Sequence, residues 1–96
     1  MQHIAFLSPM APSIRAEIQR LLPTGYSIAF AQTNERAEHA QMVPMADFII
    51  AAGTFVDADL IQSAPRLKMI QKWGVGVDKI DLEAAKQAGI TVAITS

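Results

Sequence analysis

Short apolar runs and helical periods alternate along the whole chain. Ile4-Ala5-Phe6-Leu7 is a compact apolar run broken by Ser8-Pro9, which predicts a buried first strand. From Ala11 to Leu22 the period changes. Ile14, Ile18, Leu21 and Leu22 share one face while Arg15, Glu17 and Arg20 point away, which predicts a helix with Pro12 in its first turn. Pro23-Thr24-Gly25 ends it, and Tyr26 to Ala31 is apolar enough for a second strand. Thr33 to Met42 fits a second helix capped by Thr33, with Arg36 standing where a capping box has Glu or Gln. Asp47-Phe48-Ile49-Ile50-Ala51-Ala52 is the third strand, stopped by Gly53-Thr54, and Asp57 caps a short helix running to Ser63. Leu67 to Lys72 is the fourth strand. Asp81 caps a helix over Leu82 to Ala88, Gly89 supplies a left-handed stop, and Ile90 to Ile94 is the fifth strand.

Apolar strands separated by helices imply a parallel sheet with right-handed crossovers, an α/β fold. The expected architecture is a flavodoxin-like five-stranded parallel sheet in the order 2-1-3-4-5, with residues 1–96 forming a single domain. In that order the first crossover runs one way and the others run back. Handedness then places the first helix on one face and the remaining three on the opposite face. Parallel strands are apolar toward both faces, so one helix leaves much of its face uncovered. An apolar patch over the third to fifth strands is expected, with self-association into a homo-oligomer as its remedy.

Composition narrows the function classes. Of the 96 residues 51% are hydrophobic and 18% charged, too apolar for a disordered chain. A net charge of −1 argues against a nucleic-acid partner or a membrane surface. No apolar run approaches the roughly 18 residues of a transmembrane helix. Met1-Gln2-His3 lacks the basic start of a signal peptide. The absence of cysteine removes disulfides, thiolate nucleophiles and Cys-based metal sites, and fits a cytoplasmic protein.

The chemistry-bearing segment is the loop after the fourth strand, Gly74-Val75-Gly76-Val77-Asp78, because open α/β sheets bind ligands at the carboxyl ends of their strands. As a dinucleotide fingerprint it fails. Lys79 stands where the third glycine belongs, and the helix starts too late to place its N-terminus on a pyrophosphate. A plain tight turn would also use the glycines. A third reading is a loop whose backbone amides bind a small anion such as a carboxylate, and composition alone does not choose it over the others. Asp78 and Asp81 are read as structural, tying down the loop and capping the helix, rather than as an acid/base couple. His39 is expected to be a solvated helix residue, His3 part of a disordered terminus, Met42 and Met45 core filler. Trp73 is expected to pack beside its strand and to wall the site.

Leu67-Lys68-Met69-Ile70, the glycine loop, Ile80-Asp81-Leu82-Glu83-Ala84-Ala85 and Ala88-Gly89-Ile90 with Val92-Ala93 together resemble the NAD-dependent D-2-hydroxyacid dehydrogenases. The stretch is similar to the end of that family's N-terminal substrate domain; residues 1–66 agree only in element order. The resemblance implies that Gly74, Val75 and Gly76 bind substrate, with the Val75 and Gly76 amides on its carboxylate, and that Val75 also lies near the nicotinamide of NAD or NADP. The turn Ala52-Gly53-Thr54 is implied to line the same pocket, with Ala52, Gly53 and Trp73 as walls. It implies a small 2-hydroxy or 2-keto acid as substrate, and no metal. The family's catalytic Arg, Glu and His, its dinucleotide-binding domain and a helix closing the open sheet face belong to a remainder of the parent chain. Alone, residues 1–96 are expected to be inactive. Three positions depart from the family: Lys79 where Asn is common, Ile94 where Asn often stands, and Ala51 where phosphoglycerate-type members carry Arg. The last argues against a phosphorylated substrate. The rival reading is a free-standing α/β module that binds a small ligand without catalysis. A receiver-type module is disfavoured, since Leu7-Ser8-Pro9 and Ala51-Ala52-Gly53 supply no acidic cluster.

Overall fold

The computed structural model describes residues 1–73 and 79–95. Five strands, β1 (Gln2–Phe6), β2 (Tyr26–Phe30), β3 (Phe48–Ala51), β4 (Met69–Trp73) and β5 (Thr91–Thr95), form one sheet. Every pairing is parallel, and the order is β2-β1-β3-β4-β5, as expected. The connections carry α1 (Pro12–Leu21), α2 (Arg36–Met42) with a 3-10 turn over Val43–Met45, α3 (Ala58–Gln62) and α4 (Leu82–Gln87).

Side chains alternate across this sheet, and the two faces differ. Ala5, Ile49, Ala51 and Ile70 enter one core with Val43, Leu60, Ile61 and Ala85, so α2, α3 and α4 share that face. On the other face α1 lies against Ile28 and Phe30 of β2, across a cleft lined by Arg15 and Gln19. The predicted split of one helix against three therefore holds.

Several expectations fail in instructive ways. The predicted apolar stripe of α1 stays out of the core: none of its residues is buried, and Ile14 and Leu21 are 46% and 65% exposed. The cleft beneath the helix is lined on the sheet side by Ile28 and Phe30 of the edge strand β2. Met45 is exposed, although Met42 does pack on the core. The helix predicted from Thr33 begins at Arg36, with Glu35 as an N-cap that makes no side-chain capping bond. Thr33 is held in the preceding loop, its Oγ1 donating to Glu38 Oε1 (2.9 Å) and accepting from the Glu35 N–H (3.1 Å). The Glu38 carboxylate also accepts from the Gln32 and Thr33 N–H groups, and these bonds hold it below the usual carboxylate range, that from Gln32 most strongly.

His39, predicted solvated, is only 3% exposed, with Nε2 3.3 Å from the Thr33 carbonyl oxygen. The loop folds back over α2 and covers the imidazole. His3 lies in β1 rather than in a disordered terminus. Its N–H donates to Asp47 Oδ2 and its Nδ1 meets Ser27 Oγ, both at 2.8 Å. Asp47 in turn donates its N–H to the His3 carbonyl, and its buried carboxylate faces Arg66 at 3.4 Å. This cluster closes the amino-terminal edge of the sheet, leaving the opposite edge for a site.

Asp57 and Asp81 cap α3 and α4 as expected, accepting from the Leu60 and Ala84 N–H groups at 3.0 Å. Gly89 ends α4 with φ +74°.

Candidate functional site

The carboxyl edge of the sheet is assembled from three chain segments. Ser8, just past β1 and 4% exposed, donates its hydroxyl to the Ala52 carbonyl at 3.2 Å. That bond fixes the start of the turn between β3 and α3. The next residue, Gly53, has φ +85°, a conformation that disfavours any side chain. Thr54 follows, 7% exposed, with an Oγ1 that has no hydrogen-bond partner. A buried hydroxyl left unpaired costs on the order of 1–3 kcal/mol, so it marks a place where a partner is wanted.

The same turn is stitched to the segment that follows the glycine run of β4. Val56 donates its N–H to the Lys79 carbonyl (2.8 Å), and Asp81 donates to the Val56 carbonyl (2.9 Å), making an isolated parallel bridge between Val56 and Ile80. The Lys79 ammonium then donates to the Gly53 carbonyl at 3.0 Å and lies 5.4 Å from the centre of the Phe55 ring. Lys79, one of the three departures from the family pattern, thereby clamps the turn.

At the end of β4, Trp73 packs edge-on against Phe6 with ring centres 5.0 Å apart and stays 37% exposed. Its packing beside the strand is as expected. Lys72 is buried, and its ammonium donates to the Trp73 carbonyl at 2.7 Å, immediately before the glycine loop.

A cavity of about 500 Å³ opens beside the turn. Gly53, Thr54, Phe55 and Asp57 form one wall; Asn34, Arg36 and His39 form the other. Its charges are paired within the protein. Arg36 donates to Asp57 and lies 3.7 Å from Asp59. The Arg36 guanidinium holds the Asp57 carboxyl below the usual carboxylate range. Of the predicted site residues, Gly53 lines this cavity and Ala52 adjoins it through the Ser8 bond, while neither Ala52 nor Trp73 is among its walls. Gly74, Val75 and Gly76, including the expected cofactor contact of Val75, lie outside the described residues, as does Asp78.

Sequence reasoning missed Arg36, His39, Phe55 and Ser8. Arg36 and His39 sit three apart, on one face of a helix, but nothing in the pattern says which face meets the turn. Among the described residues no group of His, Asp or Glu could hold a metal ion, and no helix is long and apolar enough to cross a membrane.

With that geometry in place, residues 4–96 match the model of the D-isomer specific 2-hydroxyacid dehydrogenase catalytic domain. The chain belongs to this family. It is 38% identical over 82 residues to a D-3-phosphoglycerate dehydrogenase of Archaeoglobus fulgidus, a match covering 84% of the chain and 16% of that enzyme. It is 37% identical over 62 residues to a hydroxypyruvate reductase of Thermotoga maritima, covering 64% of the chain and 20% of the relative. Among solved structures, an NAD+-bound 3-phosphoglycerate dehydrogenase of Entamoeba histolytica superposes with a TM-score of 0.87 at 24% identity, over 98% of the chain and 32% of that structure. The last likeness establishes the fold. The chain spans a fifth or less of the length of these two sequence relatives.

Proposed function

We propose that this chain forms the substrate-carboxylate half of a D-2-hydroxyacid dehydrogenase site, working with NAD or NADP bound chiefly by a further domain. The observation that carries the reading is the clamp of Lys79 on the Gly53 carbonyl beside the Val56–Ile80 bridge. It ties the turn after β3 to the segment following Gly74-Val75-Gly76, the two places from which the family resemblance draws its substrate contacts. The names of the relatives, phosphoglycerate dehydrogenase and hydroxypyruvate reductase, support a small hydroxy or keto acid as substrate.

In this reading the Val75 and Gly76 amides hold the carboxylate, while Ala52, Gly53, Gly74 and Trp73 wall the site. Holding the carboxylate fixes the carbonyl carbon for attack, the positioning part of catalysis. The nicotinamide cofactor, when bound, supplies hydride to that carbon, the carbonyl oxygen takes a proton, and the reverse reaction returns both. The sequence carries no Gly-x-Gly-x-x-Gly run for a dinucleotide, and the positive φ of Gly25, Gly53 and Gly89 by itself calls for glycine at each. A cytoplasmic location and a homo-oligomer belong to the same reading.

Two assays test it. Residues 1–96 alone should oxidise no NADH above blank with glyoxylate, pyruvate or hydroxypyruvate. In an active enzyme carrying this segment, Gly76→Ala should raise KM and lower kcat/KM; unchanged kinetics would remove the loop from the site.

A further inference from the structure

We propose that β5 is a self-pairing edge, through which two copies of this chain join by antiparallel pairing of Val92-Ala93-Ile94 about a two-fold axis at Ala93. The inference is independent of the carboxylate reading. β5 ends the sheet and is bonded on one side only, to β4. Its register with β4 is unbroken from Thr91 to Thr95, so no bulge turns the edge aside. Ile90 to Thr95 carries no charge and no proline, the usual guards of an edge strand. The opposite edge strand, β2, differs, because Arg15 and Gln19 of α1 border its Ile28 and Phe30.

The backbone decides which groups are on offer. The Thr91 N–H donates to the Lys68 carbonyl at 3.2 Å, so Thr91 and Ala93 turn their polar groups toward β4. Successive residues of a strand bond to alternate sides, which leaves the N–H and C=O groups of Val92 and Ile94 pointing out of the sheet edge. Val-Ala-Ile reads alike in both directions, a β-branched residue on each side of a small one. Turned about Ala93, Val92 of one copy meets Ile94 of the other, and each such pair exchanges both of its hydrogen bonds. The two Ala93 residues become the close pair without hydrogen bonds, their Cα atoms about 4.5 Å apart. Val92 packs on the core of the face shared by α2, α3 and α4, and Ile94, on the same face, is 51% exposed. Pairing sets that exposed isoleucine against a valine. Ile94 also departs from the family pattern, in which Asn often stands; Asn is depleted in strands and Ile enriched.

The test is a disulfide trap, which reads even a weak dimer. The chain has no cysteine, so a single one reports its own contacts. With oxidised glutathione, Ala93→Cys should link two copies several-fold faster than Thr91→Cys. Only position 93 meets its own counterpart within bridging distance, whereas Thr91 stands opposite residue 95. Random collision would favour the more exposed Thr91 instead. Adding Ile94→Lys to Ala93→Cys should cut the rate to that of Thr91→Cys, and adding Met69→Lys, on the open sheet face, should leave it unchanged. Ala93→Cys linking no faster than Thr91→Cys overturns the edge, as does an advantage that survives Ile94→Lys or is lost with Met69→Lys.

Discussion

The ammonium of Lys79 donates to the carbonyl of Gly53 at 3.0 Å, joining the turn after β3 to the chain that leaves the glycine loop. Lys79→Met keeps most of the stem and removes the ammonium, with both its bond to Gly53 and its place over the Phe55 ring. Because the bond is solvent-exposed, its loss should cost only about 0.5 kcal/mol of stability. Binding of 2-keto acids should weaken by a larger factor than that, since the Gly53 turn loses its anchor. Urea denaturation and ligand titration on the same sample check the two effects separately.

Gly53 and Gly89 offer a matched comparison. Both have positive φ, +85° and +74°, and a Cβ at either meets open space within 4 Å. Alanine at each should therefore destabilise by backbone strain alone, roughly 1–2 kcal/mol. Gly53→Ala should also weaken 2-keto acid binding, and Gly89→Ala should not. Equal effects on binding would detach the turn from the site.

Acid should unfold the protein through three carboxyls. Hydrogen bonds from the Gln32, His3 and Arg36 donors hold Glu38, Asp47 and Asp57 respectively below the usual carboxylate range. A depressed folded value means stability that is fully present above the unfolded pKa, about 4, and lost as pH falls through the folded one. Stability by urea denaturation should thus be level near neutrality and decline below about pH 4. Asp47→Asn should be less stable at neutral pH and show a shallower decline.

The order of elements was legible because each junction carries local chemistry. Asp57 and Asp81 cap the helices they precede, Gly89 adopts the left-handed stop, and the apolar runs pair in the order that right-handed crossovers allow. What escaped was set by tertiary partners. Ile14 and Leu21 form a helical stripe that finds no core under an edge crossover. His39 reads as a surface histidine until Glu38 draws the 32–35 loop over it. Arg36 reaches the site through Asp57, 21 residues away, a pairing no local pattern announces.

The open sheet face carries its own prediction. Ile4, Phe48, Ile50 and Met69 are half-buried along an apolar groove of about 280 Å³, with Tyr26 stacked on Phe48 at 6.1 Å. On this face β5 contributes Thr91 and Ala93, so the apolar surface centres on β1, β3 and β4 rather than reaching the fifth strand. Residues 1–96 should bind an apolar dye and self-associate with rising concentration, and Met69→Lys should reduce both. A clean monomer by light scattering with no dye response would contradict this.

The account turns on the carboxyl edge being the binding edge, and an amide-resolved titration of the chain with oxamate, a non-reducible 2-keto acid mimic, tests that most directly. Saturable shifts confined to residues 52–54, 73–76 and 79 are the predicted result. Shifts centred instead on His3, Asp47 and Arg66 at the opposite edge, or no saturable shift at millimolar oxamate, would contradict it.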